Sequence, residues 1–168
     1  MSSRPIVSSA HLVSEDAAEL SEFEFGLNMA INAYHRWIVR CTAAAGQDGL
    51  GALDVLVLHL VNHREREKRL SDLCFLLNIE DSHVVNYSLK KLSKLDLVAT
   101  DRRGKETFYA ISAAGEALCG RYREIRESCL ISSHGALGEG NAEIGEAARM
   151  LRVLSGLYDQ AARAATSL

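Results

Sequence analysis

RLSDLCFLLNIEDSHVVNYSLKKLSKLDLVATDRRGKETFYAISAAG, residues 69–115, is the stretch that decides the fold. An apolar run at 70–77 reads as a short helix, and the polar break at 78–81 ends it. Beyond the break, Val85, Leu89 and Leu92 recur at steps of four and three, so they share one face of a second helix, 82–94. The opposite face carries His83, Asn86, Tyr87, Lys90 and Lys94, groups able to meet phosphates or base edges. Glu80, Asp81 and Ser82 suit the positive N-terminus of that helix, with Ser82 as the expected cap. Residues 97–100 and 107–111 alternate in the β manner, with Phe108 and Tyr109 adding β-propensity. The tip between them holds Arg102, Arg103, Gly104 and Lys105. Helix, turn, helix and basic hairpin is the layout of a winged helix-turn-helix, which lays its second helix in the DNA major groove. The expected fold class is therefore mainly α with a small β-hairpin wing, an α+β arrangement.

Outward from this stretch the chain is helical. Residues 1–13 read as a flexible N-terminal arm. Ser14 stands before Glu15 and Asp16 as an N-cap would, and Leu20, Phe23, Leu27, Ala30, Tyr34, Trp37 and Cys41 recur at helical steps. A long amphipathic helix over 14–46 follows, broken by Gly46, Asp48, Gly49 and Gly51. The next helix, about 50–62, turns Leu53, Leu56, Val57 and Leu60 toward a core, and HREREKR at 63–69 is a charged connector. Ser112 caps a helix running to about 132, marked by Leu118, Tyr122, Ile125 and Cys129. Residues 132–141 form a loop, and Asn141 caps the last helix, striped by Ile144, Leu151, Leu154, Leu157 and Tyr158. Such stripes exceed what a module of about 60 residues can cover. The expected cover is a second copy on a two-fold axis, with Leu20, Phe23, Leu27, Tyr34, Leu151, Leu154, Leu157 and Tyr158 at the seam. The organisation is one domain over 14–168. It comprises a dimerisation helix at 14–46, a winged helix-turn-helix at 50–112 and C-terminal dimerisation helices at 113–168.

Composition narrows the function. With 168 residues, 48% apolar and 24% charged, the chain is globular and long enough to bury a core. No apolar run approaches eighteen residues and the N-terminus lacks an apolar leader, so no membrane association is expected and the cytoplasm is the expected compartment. Cys41, Cys74, Cys119 and Cys129 form no Cys-x-x-Cys pair and read as thiols. The net charge is −3, yet residues 83–105 hold six cations against Asp96 and Asp101, a local charge of +4. An acidic body with one basic face still binds a polyanion, because screening confines the interaction to the nearby surface. Without a glycine-rich phosphate loop, a Gly-x-Ser-x-Gly elbow or a paired-carboxylate setting, neither an enzyme nor a cofactor is expected.

LDVLVLHLVNH at 53–63, LSDLCFLLNI at 70–79, Val85–x3–Leu89–x2–Leu92–x4–Leu97–Val98 and ISAAG at 111–115 together resemble the MarR family of bacterial transcription regulators. ISAAG is similar to the family's Leu-Thr-x-x-Gly after the wing. The family has Gly where Asp96 stands, and its wing-tip Asp-x-Arg can be laid on Asp101 and Arg103. The resemblance covers 50–115 residue by residue and the flanking helices by position. It implies a homodimer whose first and last helices intertwine. It further implies binding to short DNA palindromes, usually to repress, often with release by a small-molecule effector.

The DNA-binding set expected from residues and resemblance together is Ser82, His83, Asn86, Tyr87, Lys90, Lys91, Lys94, Arg102, Arg103 and Lys105. Arg64, Arg66 and Arg69 are secondary phosphate candidates, offset by Glu65 and Glu67. Two other classes stay open. One is a protein–protein adaptor that keeps the winged fold without DNA binding, supported by Glu80, Asp81, Asp96 and Asp101. The other is a metal-responsive sensor built on His59 and His63, four apart on a helix, for which a third ligand must come from elsewhere.

Overall fold

Three helices of the computed structural model end in the same way, and those endings set the frame of the winged module. The structure describes residues 10–14, 16–134 and 141–168. Helix α1 is Ala18–Ala44, α2 Ala52–Asn62, α3 Leu70–Leu77, α4 Ser82–Lys94 and α5 Ala113–Arg126. Strands β1 (Lys68–Arg69), β2 (Val98–Arg103) and β3 (Glu106–Ile111) form an antiparallel sheet in the order β1-β3-β2. After α1, α3 and α4 the chain turns through a residue of positive φ: Gly46 (98°), Asn78 (53°) and Asp96 (56°). In each case the next residue's N–H reaches five residues back, as Gln47 to Thr42 O (3.2 Å), Ile79 to Cys74 O (3.0 Å) and Leu97 to Leu92 O (3.0 Å). These are Schellman endings, which satisfy carbonyls the helix leaves open.

The chain falls into two compact units, Met1–Ile125 and Arg126–Leu168. In the first, α1 begins four residues later than Ser14 led us to expect. The Ser14 hydroxyl accepts the Asp16 N–H (3.4 Å) and its carbonyl accepts that of Ala17 (3.3 Å), so Ser14 makes a local turn and Ala17 precedes the helix without a side-chain cap. The core gathers Ile38 and Cys41 from the last turns of α1, Val55, Val57, Leu58 and Val61 from α2, and Leu73 from α3. Val85, Leu89 and Leu92 of α4 and Leu118 and Tyr122 of α5 complete it. Each fully buried aliphatic side chain contributes roughly 1.5–3 kcal/mol. The expected inward face of α2 is corrected in part: Val57 is buried, but Leu53, Leu56 and Leu60 are only half-buried beside Val55, Leu58 and Val61. Because α2 is apolar on nearly every side, its neighbours choose the face, not its periodicity.

The wing is tighter than its composition suggested. β2 and β3 pair out to Arg103↔Glu106 and close through Gly104 and Lys105, with Gly104 at φ 63°. A glycine in the first central position is what a two-residue hairpin of this hand requires. The connector at 63–69 supplies an unforeseen third strand, Lys68↔Tyr109 and Arg69↔Phe108. It first bends through Arg64 (φ 62°) and Glu65 (φ 47°). Lys68, only 3% exposed, holds that bend by donating Nζ–H bonds to the carbonyls of Val61 (3.2 Å), His63 (2.6 Å) and Arg66 (2.8 Å).

The ISAAG stretch is a joint between α4, β3 and α5. The Ser112 hydroxyl donates to the Asp96 carbonyl and accepts the Gly115 N–H (3.0 Å), while the Ser112 N–H reaches Leu97 O (3.2 Å). A Cβ on Gly115 would lie 2.1 Å from the Leu97 carbonyl oxygen and 2.6 Å from Ile111 Cδ1, so only glycine fits.

In the second unit, a π-helical turn (Glu127–Ile131), the short α6 (Ser132–His134) and α7 (Asn141–Ala165) are described. The loop expected at 132–141 thus begins as helix, and its residues 135–140 lie outside the described part, as do residues 1–9 of the expected arm. No side chain of α7 is buried, and Ile144, Met150, Leu151, Val153 and Leu157 are exposed. Among the described residues no helix is long and apolar enough to cross a membrane.

Candidate nucleic-acid interface

Helix α4 is held from behind and open in front. Asp81, not Ser82, is its N-cap: the carboxylate accepts the His83 N–H at 2.9 Å. Ser82 and His83 are then exposed in the first turn, followed by Tyr87 (71% exposed), Lys90 and Lys94, with Asn86 half-buried beside them. Steps of four, three and four put His83, Tyr87, Lys90 and Lys94 in one row opposite Val85, Leu89 and Leu92. A cleft of about 640 Å³ between α3, α4 and the sheet brings together Ser71, Cys74, Ser82, Asn86, Lys105 and Thr107. Three expected site residues from two elements therefore line one recess.

The cations divide in a way that a charge count does not show. Lys90, Lys94, Arg102 and Lys105 are exposed and have no ion-pair partner among the described residues. Arg103 is engaged instead: its Nε donates to Asp101 (2.7 Å), its two terminal nitrogens to Glu67 (2.9 and 2.8 Å), and its guanidinium lies 4.7 Å from the centre of the Phe108 ring. The carboxylates of Glu67 and Asp101 hold it firmly protonated. Glu67 thus offsets Arg103 across the sheet. Arg69 pairs with Glu106 (2.9 Å) and Asp72 (3.6 Å).

Lys91 turns toward α2, where its Nζ meets Asp54 Oδ2 at 2.6 Å. Asp54 escaped the sequence reading because it looks like a first-turn acid of α2; it also accepts the Gly51 N–H at 2.8 Å. Burial pushes its carboxyl up, but hydrogen bonds from Lys91, Ser88 and the Gly51 backbone, with the Lys91 charge, outweigh this and leave its pKa lowered. A depressed carboxyl stabilises the fold above its unfolded pKa of about 3.9, and that contribution is lost as pH falls through the folded value.

Residues 50–115 match the family of winged helix DNA-binding domains. Among curated proteins no sequence match was found. Solved structures extend the likeness to the flanking helices. A mutant of MarR from E. coli complexed with operator DNA is 12% identical, covering 84% of this chain and 99% of that one at a TM-score of 0.65. A MarR-family transcriptional regulator from Rhodococcus sp. RHA1 is 13% identical, covering 79% and 91% at 0.62. The fold is that of a winged helix with flanking helices, as in these neighbours. A third neighbour by fold is BpsR from Bordetella bronchiseptica, a protein whose DNA binding is regulated by 6-hydroxynicotinic acid. It is 21% identical over 76% of this chain and 91% of that one, at 0.57. The matched domain and the neighbours described by function are DNA-binding and regulatory, not enzymatic.

Within this winged-helix frame the histidine pair separates. The His59 ring packs edge-on against Tyr122 (centroids 4.4 Å) with Nδ1 3.8 Å from Cys119 Sγ, and burial lowers its pKa, so it is a neutral core histidine. His63 is exposed, and no metal-holding cluster of His, Cys, Asp or Glu occurs among the described residues. Burial and the charge of Glu116 push the Cys119 thiol up to about 11, which keeps it unreactive. Cys41 is buried with Sγ 3.6 Å from the Tyr122 carbonyl.

Proposed function

We propose that the protein is a transcription regulator that binds a short palindromic operator as a homodimer, as a repressor released by a small-molecule effector. The observation that carries this reading is the row His83, Tyr87, Lys90 and Lys94, with Asn86 and the wing's Lys105 lining one recess beside it and Arg102 exposed on the same wing. Asn86 offers a bidentate amide for adenine, Lys90 and Lys94 meet guanine or phosphate, and Arg102 and Lys105 reach the minor groove. Arg103 and Lys91 are assigned smaller direct roles, because their charges already have carboxylate partners. The dimer is supported by apolar side chains left exposed or half-buried: Leu20, Phe23, Leu27 and Tyr34 on α1, and Leu151, Leu154, Leu157 and Tyr158 on α7. Repression and effector release rest on likeness to neighbours seen with operator DNA or regulated by 6-hydroxynicotinic acid.

Selection of bound duplexes from a random pool, followed by filter binding across a salt series, tests the reading. Two-fold symmetric sequences and an affinity that falls steeply with salt are expected, since each neutralised phosphate releases counterions. A flat salt response, or no bound duplex, would favour the adaptor reading instead.

A further inference from the structure

Lys91 belongs to the DNA-facing helix in sequence, but its charge is spent within the protein. We propose that Asp54 and Lys91 form a positioning node that fixes the roll and longitudinal register of α4 against α2, and that Lys91 neutralises no DNA phosphate. The inference rests on the DNA-binding reading above.

Asp54 sits in the first turn of α2 with its side chain 8% exposed, and one carboxylate oxygen accepts two donors: the Gly51 N–H (2.8 Å) and Lys91 Nζ (2.6 Å). Ser88 and Lys91 are three residues apart, one helical turn on the same side of α4. The remaining contacts of that side, through Val85, Leu89 and Leu92, are apolar. Apolar burial is non-directional and tolerates a small roll or slide of one helix on another. A bond from Lys91 to a carboxylate that the Gly51 N–H also holds does not, because each hydrogen bond has a narrow range of length and angle. The Gly51 N–H fixes the carboxylate in turn, so the node is anchored to the start of α2 and not to a mobile rotamer. A small roll of α4 would carry Asn86 and Tyr87 away from the base edges they are placed to read. A lysine committed to a nearly buried carboxylate cannot leave for a phosphate without stranding that charge.

The test compares a duplex selected from a random pool with a scrambled duplex of equal length, each titrated with KCl. Lys90→Met is expected to make the log–log salt slope shallower by about 0.9, the value for one lost phosphate contact. Lys91→Met should leave the slope unchanged and lower affinity for the selected duplex roughly fivefold or more, with the scrambled duplex little affected. Asp54→Asn should free Lys91, steepening the slope on the scrambled duplex by about 0.9 while narrowing the ratio between the two duplexes. Circular dichroism verifies folding. If Asp54→Asn does not fold, the Lys91→Met and Lys90→Met slopes decide by themselves. A Lys91→Met slope as shallow as that of Lys90→Met, or undiminished selectivity in Lys91→Met, overturns the node while leaving DNA binding intact. A wild-type protein that binds neither duplex overturns both readings.

Discussion

Helices α4 and α7 are both amphipathic, yet one is anchored and the other is not. The 13 residues of α4 bury Val85, Ser88, Leu89 and Leu92, whereas the 25 residues of α7 bury none. The local devices also differ. α4 has a side-chain N-cap at Asp81, a Schellman ending at Asp96 and the Asp54–Lys91 pair; α7 shows an exposed Arg149–Glu146 pair of the kind worth little in water. Most helical stability in proteins comes from packing an apolar face, not from the helix's own hydrogen bonds. The difference teaches where the fold is complete. The winged module carries its own core, while the apolar side chains of α7 are left at the surface.

That contrast can be broken most severely at Gly115. Gly115→Ala is expected to destabilise the module by about 3 kcal/mol or more, because its Cβ meets the Leu97 carbonyl oxygen, backbone that cannot move aside. Chemical denaturation measures this, and a loss below about 1 kcal/mol would show that the joint can relax. On the other side of the comparison, Leu151→Ser with Leu157→Ser should weaken self-association by about 2–3 kcal/mol while the module's unfolding stays cooperative. Sedimentation equilibrium decides; unchanged association would remove these leucines from the proposed seam.

Two smaller changes sharpen the account of the module. Lys68→Met should cost about 2 kcal/mol, since it leaves the carbonyls of Val61, His63 and Arg66 without their shared donor. Hydrogen exchange should then rise first at β1 and the end of α2. Asp96→Gly should stabilise by about 0.5–1 kcal/mol, because φ of 56° is free of Cβ strain only for glycine and the Ser112 hydroxyl still finds the residue 96 carbonyl. A thermal melt that moves downward would mean that the Asp96 side chain contributes something its backbone does not reveal.

The sequence by itself determined the main helices, the two wing strands and their order. Spacings of three and four in Val85, Leu89 and Leu92 and alternation around Phe108 and Tyr109 are local properties, and local patterns survive without knowledge of neighbours. It likewise determined that His83, Tyr87, Lys90 and Lys94 share a face. Only the tertiary structure decided which charges remain available. Lys90 and Lys91 are adjacent and chemically identical, yet one is exposed without an ion-pair partner among the described residues and the other meets Asp54, 37 positions away. Arg103 and Glu67, the strand β1 and the carbonyl cradle of Lys68 were hidden for the same reason. Each depends on a contact between distant segments, and no periodicity along the chain encodes the partner of a charge.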